Sequence, residues 1–493
     1  MIPRKYSVRA LRSFYDKEIT RVSLSQLYSI GRHLLKNKNQ DHAVFRIPSK
    51  FLYKELPIRL SQSIKGFYAG ISPYALTKIP SFQKILKNYA DEFETLIKLP
   101  EPDTESNDAL FMEALRNMNA WHQSNLALIN QGLRELSNAV ENNDPKIVPK
   151  YLLPNGEPRL QDASKPAICS SGTIKWLENQ ERTSQVEHDA LNQATFWNNN
   201  PNFFYAVNRT SKFFEWFYSM CLGTQVLVQG QICTRDFGKT YVRKFHPVDV
   251  AKIAVADART VAAKHYGVEP PVVEIVTADP DLSTVYIPYF LYSIIFELMK
   301  NAFRATIEFH RKNNSDPPPV KLVIAKGLED LTFKVSDQGG GMPYSKVQNL
   351  WSFLHQRSRN EGPENFAYPS HPLEKFESKS SASKNPNPDS GSPSSKSYLN
   401  EFNEHILSDS PLYGYGIGLP TLRMIARFFG GDLDVVSMEG YGTDFYLHLH
   451  RSGNVLECTP DISELSIESA LSSVSDLVSS LNEIENSQQS VSA

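Results

Sequence analysis

The sequence predicts an α+β protein in which an all-α helical bundle is followed by an α/β sandwich. In the first half of the chain, apolar residues recur at the period of a helix in long segments joined by short links. After Pro247, short apolar runs that suit strands alternate with helical segments, which indicates a mixed sheet covered on one side by helices. The length of 493 residues also favours two domains over one.

Four amphipathic helices are predicted in the N-terminal half, and a further one follows an interruption. Apolar stripes at helical spacing occupy residues 24–35, 51–67, 76–99 and 108–140. Pro57 interrupts the second stripe. Residues 143–190 are rich in proline and lack the period, so we interpret them as an insertion. Helical spacing then returns over residues 190–230 and completes the predicted bundle.

The C-terminal half contains the predicted sheet. Its strands are expected at residues 272–276, 284–287, 321–325, 331–335, 433–436 and 444–450. Helices are expected at residues 248–265, around Glu297 and at residues 419–429, the last ending at Gly430-Gly431. We therefore divide the chain into a bundle at 23–246, a sandwich domain at 247–452 with a low-complexity insertion at 358–410, and a Ser/Glu-rich tail at 453–493.

Composition and charge narrow the function. The net charge of −2 gives no general attraction to nucleic acid, and the apolar runs are too interrupted for a membrane span. The four cysteines lack the spacing of a zinc site or a disulfide framework. Residues 1–15 contain four basic residues and no acidic one, which is typical of a mitochondrial transit peptide, here assigned to residues 1–22. An ordinary basic N-terminal arm is the alternative.

A polar stripe on one predicted helix is the first candidate site. In the segment FELMKNAFRAT, Glu297, Asn301 and Arg304 stand four and three residues apart, so they share one helical face among apolar neighbours. A glutamate can orient or deprotonate a nucleophile, and an amide oxygen can bind Mg²⁺. Taken alone, the stripe is better explained as an exposed helix face with one i,i+4 side-chain contact.

Two glycine-rich motifs downstream favour nucleotide binding. Asp337 ends a predicted strand and could accept a hydrogen bond from the amine of adenine, while Gly339 and Gly341 would let a flat ligand approach the backbone. The run from Gly414 to Gly418 precedes a helix, where exposed N–H groups suit phosphates. Thr443 could add a hydroxyl near the base. Each motif is weak alone, but the ordered set of three is specific.

This set resembles the nucleotide-binding motifs of the GHKL-type ATPases, the family that unites gyrase-type ATPases, ninety-kilodalton heat-shock chaperones, MutL and histidine kinases. FELMKNAFRAT, SDQGGGMP, YGYGIGLP and GGDLDVVSMEGYGTD are similar, more narrowly, to the mitochondrial protein kinases of the pyruvate dehydrogenase and branched-chain 2-oxoacid dehydrogenase complexes. In the N-terminal half, KELPIRLSQSI resembles the same family. The resemblance implies a helical bundle followed by a GHKL-type α/β sandwich that binds ATP.

The resemblance also implies roles for individual residues. Glu297 corresponds to the general base, Asn301 to the magnesium ligand and Arg304 to a residue at the phosphates. Asp337, Gly339, Gly341 and Thr443 correspond to the adenine pocket, and His122 to a bundle histidine that faces the catalytic domain. The full nucleotide-binding set implied is Glu297, Leu298, Met299, Lys300, Asn301, Ala302, Phe303, Arg304, Asp337, Gly339, Gly341, Gln356, Arg357, Gly414, Tyr415, Gly416, Ile417, Gly418, Leu419 and Thr443.

The implied activity is MgATP-dependent phosphorylation of the alpha subunit of pyruvate dehydrogenase in the mitochondrial matrix, which switches that enzyme off. The implied partners are the lipoyl domain of the acyltransferase core and a second kinase subunit, identical or related. Two alternatives remain: a branched-chain dehydrogenase kinase, and a scaffold in which ATP closes the lid without transfer. Ser293 keeps the scaffold possible, because pyruvate dehydrogenase kinases usually carry histidine there. The Asp-Trp pair typical of their tails is also missing.

Overall fold

The computed structural model describes residues 8–37, 42–69, 71–149, 152, 201–279, 282–354 and 418–459. Within them the chain forms the predicted helical region followed by a mixed α/β domain. The bundle comprises α1 (Val8–Tyr15), α2 (Leu24–Lys36), α3 (Arg46–Tyr68), α4 (Pro80–Lys98), α5 (Glu105–Glu141) and α6 (Pro201–Asp236). Short 3-10 helices, His42–Phe45 and Leu76–Lys78, precede α3 and α4.

The bundle core is built from the apolar stripes that the sequence shows. Leu56 on α3, Phe82 and Phe93 on α4, and Phe111 on α5 are fully buried against one another's helices. Helix α3 continues through Pro57, which is itself buried, so the expected interruption does not end the helix. Most of the proline-rich stretch at 143–190, and residues 190–200, lie outside the described residues.

Helix α1 falls in the segment assigned to a transit peptide, yet it packs on the bundle. Leu11 is 1% exposed and belongs to the bundle core. The ring of Phe14 meets that of Phe93 edge-on, with 5.6 Å between their centroids. The removal of residues 8–22 would therefore expose apolar surface on α3 and α4.

The C-terminal half begins with α7 (Pro247–Tyr266) and α8 (Pro288–Lys312), which pack side by side on one face of a five-stranded sheet. The strands are β2 (Val273–Thr277), β4 (Val320–Lys326), β5 (Asp330–Asp337), β6 (Asp432–Met438) and β7 (Gly442–His450), in the order β2-β4-β5-β7-β6. The pair β2–β4 is parallel and the other pairs are antiparallel. The mixed sheet covered by helices is thus confirmed.

Two further strands lie outside that sheet. The predicted strand at residues 284–287 is β3 (Thr284–Tyr286), and it pairs with the short β1 (Arg243–Phe245) instead of with the main sheet. Helix α9 (Tyr344–Asn349) follows the glycine loop after β5, and α10 (Gly418–Phe428) leads into β6. None of the described helices is long and apolar enough to cross a membrane.

The two halves are joined through the segment that follows β7. Residues 453–459 run back to the bundle, where Ser25 donates its N–H to the carbonyl of Gly453 and Ser23 pairs with Leu456. Glu457 donates its N–H to the carbonyl of Val22, and its side chain accepts from Arg59 on α3. This segment, which we call the closing strap (residues 453–459), was assigned by composition to the tail.

Candidate functional site

The polar stripe lies on α8, as the spacing predicts. Helix α8 begins with Pro288, which suits its first turn, and ends with the basic residues His310, Arg311 and Lys312. The structure leaves Glu297, Asn301 and Arg304 half-buried. Their apolar neighbours Ile294, Ile295, Leu298, Met299, Ala302 and Phe303 are buried in the core beneath. The stripe is therefore the accessible edge of an otherwise buried helix.

Glu297 forms an ion pair with Lys300, one turn further along the same helix. The distance from Nζ of Lys300 to Oε1 of Glu297 is 2.8 Å, and the two side chains are 13% and 16% exposed. The ammonium group also lies 5.7 Å from the ring centroid of Phe296. Lys300 thus brings a positive charge to the carboxylate that the resemblance marks as the general base.

Ser293 lies one turn before Glu297 and is 5% exposed. Its hydroxyl has no hydrogen-bond partner among the described residues. A buried hydroxyl without a partner is costly, so the position is poorly suited to serine on structural grounds alone. Ser293 therefore leaves a polar atom unused one turn before the candidate base.

Asp337 is the last residue of β5 and is 6% exposed. Its Oδ1 accepts a hydrogen bond from the N–H of Gly339 at 2.9 Å. Burial raises the pKa of Asp337 to about 6, although backbone N–H groups of Gly339 and Thr443 act in the opposite direction. A buried carboxylate that accepts from two backbone N–H groups still has lone pairs with which to accept a hydrogen bond from a ligand amine.

The glycine loop after β5 threads between α8 and the hairpin that joins β6 to β7. A Cβ on Gly339 would lie 2.5 Å from Cβ of Ala305 on α8. Gly341 has a φ of +65°, and a Cβ there would lie 2.0 Å from the carbonyl oxygen of Met438. Because both approaches exclude any side chain, the glycines expected at the adenine pocket are required by packing as well.

Arg304 is oriented by a chain of hydrogen bonds that ends on α7. Its Nε donates to Oε1 of Glu308 at 3.1 Å, and the hydroxyl of Tyr266 donates to the same oxygen at 2.9 Å. The guanidinium is about one-third exposed. The sequence analysis does not include Glu308 or Tyr266 among the site residues. The i,i+4 spacing of Arg304 and Glu308 is a signal that could have indicated Glu308.

The phosphate-binding run is described only at its end. Gly418 and Leu419 form the first turn of α10, whereas Gly414, Tyr415, Gly416 and Ile417, together with Gln356 and Arg357, lie outside the described residues. Helix α10 itself is anchored to β6, because Arg423 and Arg427 both bond Asp432. Burial would raise the pKa of Asp432, but these two guanidinium groups lower it to about 2.

His122 lies in the bundle, on α5. It is 8% exposed, and its Nε2 lies 3.2 Å from Oε2 of Glu92 on α4. Its ring lies beside that of Tyr89, whose hydroxyl lies 3.1 Å from Sγ of Cys221 on α6. The described contacts of His122 are therefore with bundle residues.

Comparisons with known proteins agree with this geometry. Residues 21–166 match the family described as mitochondrial branched-chain alpha-ketoacid dehydrogenase kinase, and residues 287–453 match the histidine kinase-, DNA gyrase B- and HSP90-like ATPases. Both halves of the chain are thus similar to the family of mitochondrial pyruvate dehydrogenase and branched-chain dehydrogenase kinases. The ATPase match contains α8, the glycine loop and β7, and so covers Glu297, Asp337 and Thr443.

Individual relatives extend over most of the chain. The mitochondrial pyruvate dehydrogenase (acetyl-transferring) kinase of Arabidopsis thaliana is 27% identical over 416 residues, which cover 84% of this chain and 87% of the relative. The corresponding kinase of Schizosaccharomyces pombe is 26% identical, covering 88% and 93%. Isozyme 3 of Mus musculus is 25% identical, covering 90% and 85%. The chain is accordingly a protein kinase with a GHKL-type ATP-binding domain.

Proposed function

We propose that this kinase transfers the γ-phosphoryl group of ATP to a serine of the alpha subunit of pyruvate dehydrogenase and thereby inactivates that enzyme. The printed names of the relatives from Arabidopsis thaliana and Schizosaccharomyces pombe support this substrate. The observation that carries the proposal is the presence of two carboxylates in different settings. Glu297 lies on the accessible edge of α8, and Asp337 is a buried acceptor at the end of β5. One provides a base and the other a recognition point for adenine.

The nucleotide is placed with its base at Asp337 and its phosphates toward the N-terminus of α10. Asp337 accepts from the amine of adenine, and Thr443 lies beside it in the neighbouring strand. The motif from Gly414 to Leu419 is the proposed phosphate-binding segment, and its described end, Gly418 and Leu419, is a helix start whose N–H groups attract anions. Arg304, oriented by Glu308, lies at the phosphate end.

Asn301 is the proposed ligand of Mg²⁺. Its half-buried amide lies one turn after Glu297 on the same edge of α8, and an amide oxygen is a hard donor that suits this ion. Within the described part of the chain there is no group of three or more His, Cys, Asp or Glu side chains that could hold a metal by themselves. A single protein ligand fits an ion whose remaining ligands are waters and phosphates. When bound, Mg²⁺ would neutralise phosphate charge.

The protein's own contribution to the reaction is mainly to position the reactants. Phosphoryl transfer passes through a loose transition state that demands little covalent chemistry from the enzyme. Glu297 orients the serine hydroxyl of the substrate and accepts its proton as the bond to phosphorus forms. Lys300, 2.8 Å from Glu297, holds the carboxylate in place before the substrate arrives.

The proposed setting follows from the same family similarity. We place the kinase in the mitochondrial matrix, bound to the lipoyl domain of the acyltransferase core and assembled as a dimer with itself or a related kinase. The mitochondrial designation of the relatives supports the compartment.

Transfer of radiolabel from ATP to each purified dehydrogenase complex tests the proposed function. We expect label on the alpha subunit of pyruvate dehydrogenase, with a parallel loss of that enzyme's activity. Label on the branched-chain complex instead would assign the other substrate, which the description of the N-terminal match favours. ATP binding without label on either complex would contradict the kinase function and support a scaffold. Glu297→Gln is the negative control.

A further inference from the structure

Three residues form one row across adjacent strands at the nucleotide end of the sheet. Asp337 on β5 pairs with Thr443 on β7, and Thr443 pairs in turn with Ser437 on β6. Residues that pair directly across strands project from the same face of a sheet. The row therefore continues from the two residues of the expected adenine pocket to a third, Ser437, which lies within the motif GGDLDVVSMEGYGTD but to which the resemblance gives no role.

The hydroxyl of Ser437 has three neighbours. The N–H of Met342, at the end of the glycine loop, donates to Oγ of Ser437 at 2.8 Å. Oγ1 of Thr443 lies at 2.9 Å, and the carbonyl oxygen of Gly442 lies at 3.4 Å. Ser437 thus links the glycine loop to the threonine of the pocket.

Either hydroxyl could donate in the contact between Ser437 and Thr443, and the distances favour one assignment. A serine hydroxyl has one hydrogen and two lone pairs, and the bond from Met342 occupies one lone pair. The hydrogen of Ser437 can go to Thr443 or to the carbonyl of Gly442. Hydroxyl donors prefer distances of about 2.7–2.8 Å, so the 2.9 Å neighbour, Thr443, is favoured over the carbonyl at 3.4 Å.

We propose that Ser437 is a positioning residue that fixes Thr443 as a hydrogen-bond donor and thereby makes the pocket selective for adenine. With its oxygen accepting from Ser437, Thr443 directs its own hydrogen outward. Asp337 accepts from the exocyclic amine of the base, and Thr443 donates to the adjacent ring nitrogen, N1. Guanine and hypoxanthine carry a carbonyl oxygen in place of the amine and an N–H group at N1. The oxygen would face the acceptor Asp337 and the N–H would face the donor Thr443, so neither hydrogen bond could form. This inference rests on the proposed ATP site.

The surrounding backbone makes the row rigid. The N–H of Gly340 donates to the carbonyl of Tyr441 at 3.2 Å, and the N–H of Gly440 donates to the carbonyl of Gly340 at 2.8 Å. These two bonds use main-chain atoms, whereas the third link from the glycine loop to the hairpin uses the side chain of Ser437. A substitution at Ser437 therefore changes the orientation of Thr443 while two main-chain links remain.

The experiment compares ATP with 1-deaza-ATP, which keeps the amine but has a C–H group in place of N1. Binding is measured by calorimetry on the full chain of the wild type and of Ser437→Ala. The wild type should bind 1-deaza-ATP about five- to tenfold more weakly than ATP, the effect of one neutral hydrogen bond. Ser437→Ala should bind ATP about five- to tenfold more weakly than the wild type does. The variant should bind 1-deaza-ATP less than about twofold more weakly than it binds ATP. In the kinase assay KM for ATP should rise while kcat changes little.

Two variants act as controls. Ser437→Thr keeps the hydroxyl and should show the wild-type ratio of affinities for ATP and 1-deaza-ATP. Ser336→Ala removes a hydroxyl from the adjacent row, where Ser336 bonds Asp444 instead, and should leave the ratio unchanged. If Ser437→Ala does not fold, as judged by thermal melting, Ser437→Cys replaces it, since a thiol is a weak donor of similar size.

The outcomes separate this inference from the kinase function. If folded Ser437→Ala or Ser437→Cys keeps the wild-type ratio of affinities for ATP and 1-deaza-ATP, the proposed role of Ser437 is wrong. Wild-type protein that binds ATP and 1-deaza-ATP equally well also overturns it, but leaves the kinase function intact. Wild-type protein that binds neither nucleotide contradicts the proposed function itself.

Discussion

Arg59 and Glu457 lie 398 residues apart in the sequence and form a buried ion pair that joins the helical bundle to the closing strap. The two side chains are 0% and 1% exposed. Arg59 also donates to Glu55 at 2.9 Å and to the carbonyl of Thr20 at 2.8 Å. A Cβ on Gly223 of α6 would lie 2.3 Å from the guanidinium, so α3, α6, the segment at Thr20 and the closing strap meet at this pair or beside it.

Breaking this pair should destabilise the whole protein. Arg59→Met leaves the carboxylates of Glu55 and Glu457 buried without their partner, which typically costs about 3–5 kcal/mol of unfolding free energy. Urea unfolding followed by circular dichroism measures the loss. The matched control is Lys326→Met, which removes an exposed ion pair with Asp279 and should cost less than about 1 kcal/mol. Equal losses in the two variants would contradict a special role for Arg59.

Nucleotide affinity should fall at acid pH because of Asp337. Burial raises the pKa of its carboxyl to about 6, so below that pH the empty protein holds a proton there and the group donates instead of accepting. We expect affinity for adenosine, which lacks titrating phosphates, to fall about tenfold per pH unit below pH 6. Calorimetry between pH 5 and pH 8 measures it. Asp337→Asn should bind weakly and with no such slope, and Asp337→Ala should abolish binding.

Glu297→Gln should separate binding from transfer. The amide keeps the shape of the side chain but cannot accept the proton of the substrate hydroxyl, so kcat should fall about 10²- to 10⁴-fold while the affinity for ATP is kept. Glu329→Gln, at an exposed glutamate between β4 and β5, is the control and should behave as the wild type. Near-normal phosphorylation by Glu297→Gln would reduce Glu297 to an orienting residue.

Ser293→His tests the departure from the family inside α8. We expect the wild type to be active with Glu297 as sole base, because phosphoryl transfer requires little deprotonation before the transition state. Ser293→His should change the rate modestly and add a pH dependence near the range where imidazole titrates. Ser293→Asn is the control of similar size that does not titrate. An inactive wild type that Ser293→His rescues would support the scaffold instead.

Import and folding can be tested separately at the N-terminus. Replacing Arg4, Lys5, Arg9 and Arg12 with glutamine removes the basic charge of the expected targeting signal, and should leave the protein in the cytosol. Leu11→Ala keeps the charge and should permit import, but should destabilise the fold by about 2–5 kcal/mol, since Leu11 is buried. Mitochondrial localisation of the quadruple variant would refute the targeting signal. Fluorescent fusions and thermal melting provide the two measurements.

Local periodicity was sufficient to predict the described helices other than α1 and α9, the strands of the main sheet and the stripe of Glu297, Asn301 and Arg304. These features depend on side chains three, four or two residues apart, so a short window of sequence contains the information. The roles of Ser437 and Glu457 could not be predicted in this way. Ser437 matters because of the register of β6 on β7, and Glu457 because of a partner 398 residues away. Neither relationship leaves a trace in the local spacing.

The closing strap also sets an order in which the protein can fold. Val22 and Glu457 bond each other across 435 positions, so the pocket around Arg59 stays open until nearly the whole described chain is present. A chain that enters a compartment from its N-terminus would form the bundle helices early and hold Arg59 and Glu55 exposed to water meanwhile. Contacts of such long sequence separation slow folding. We therefore expect completion of this pocket, when the strap docks on the bundle, to be the late step.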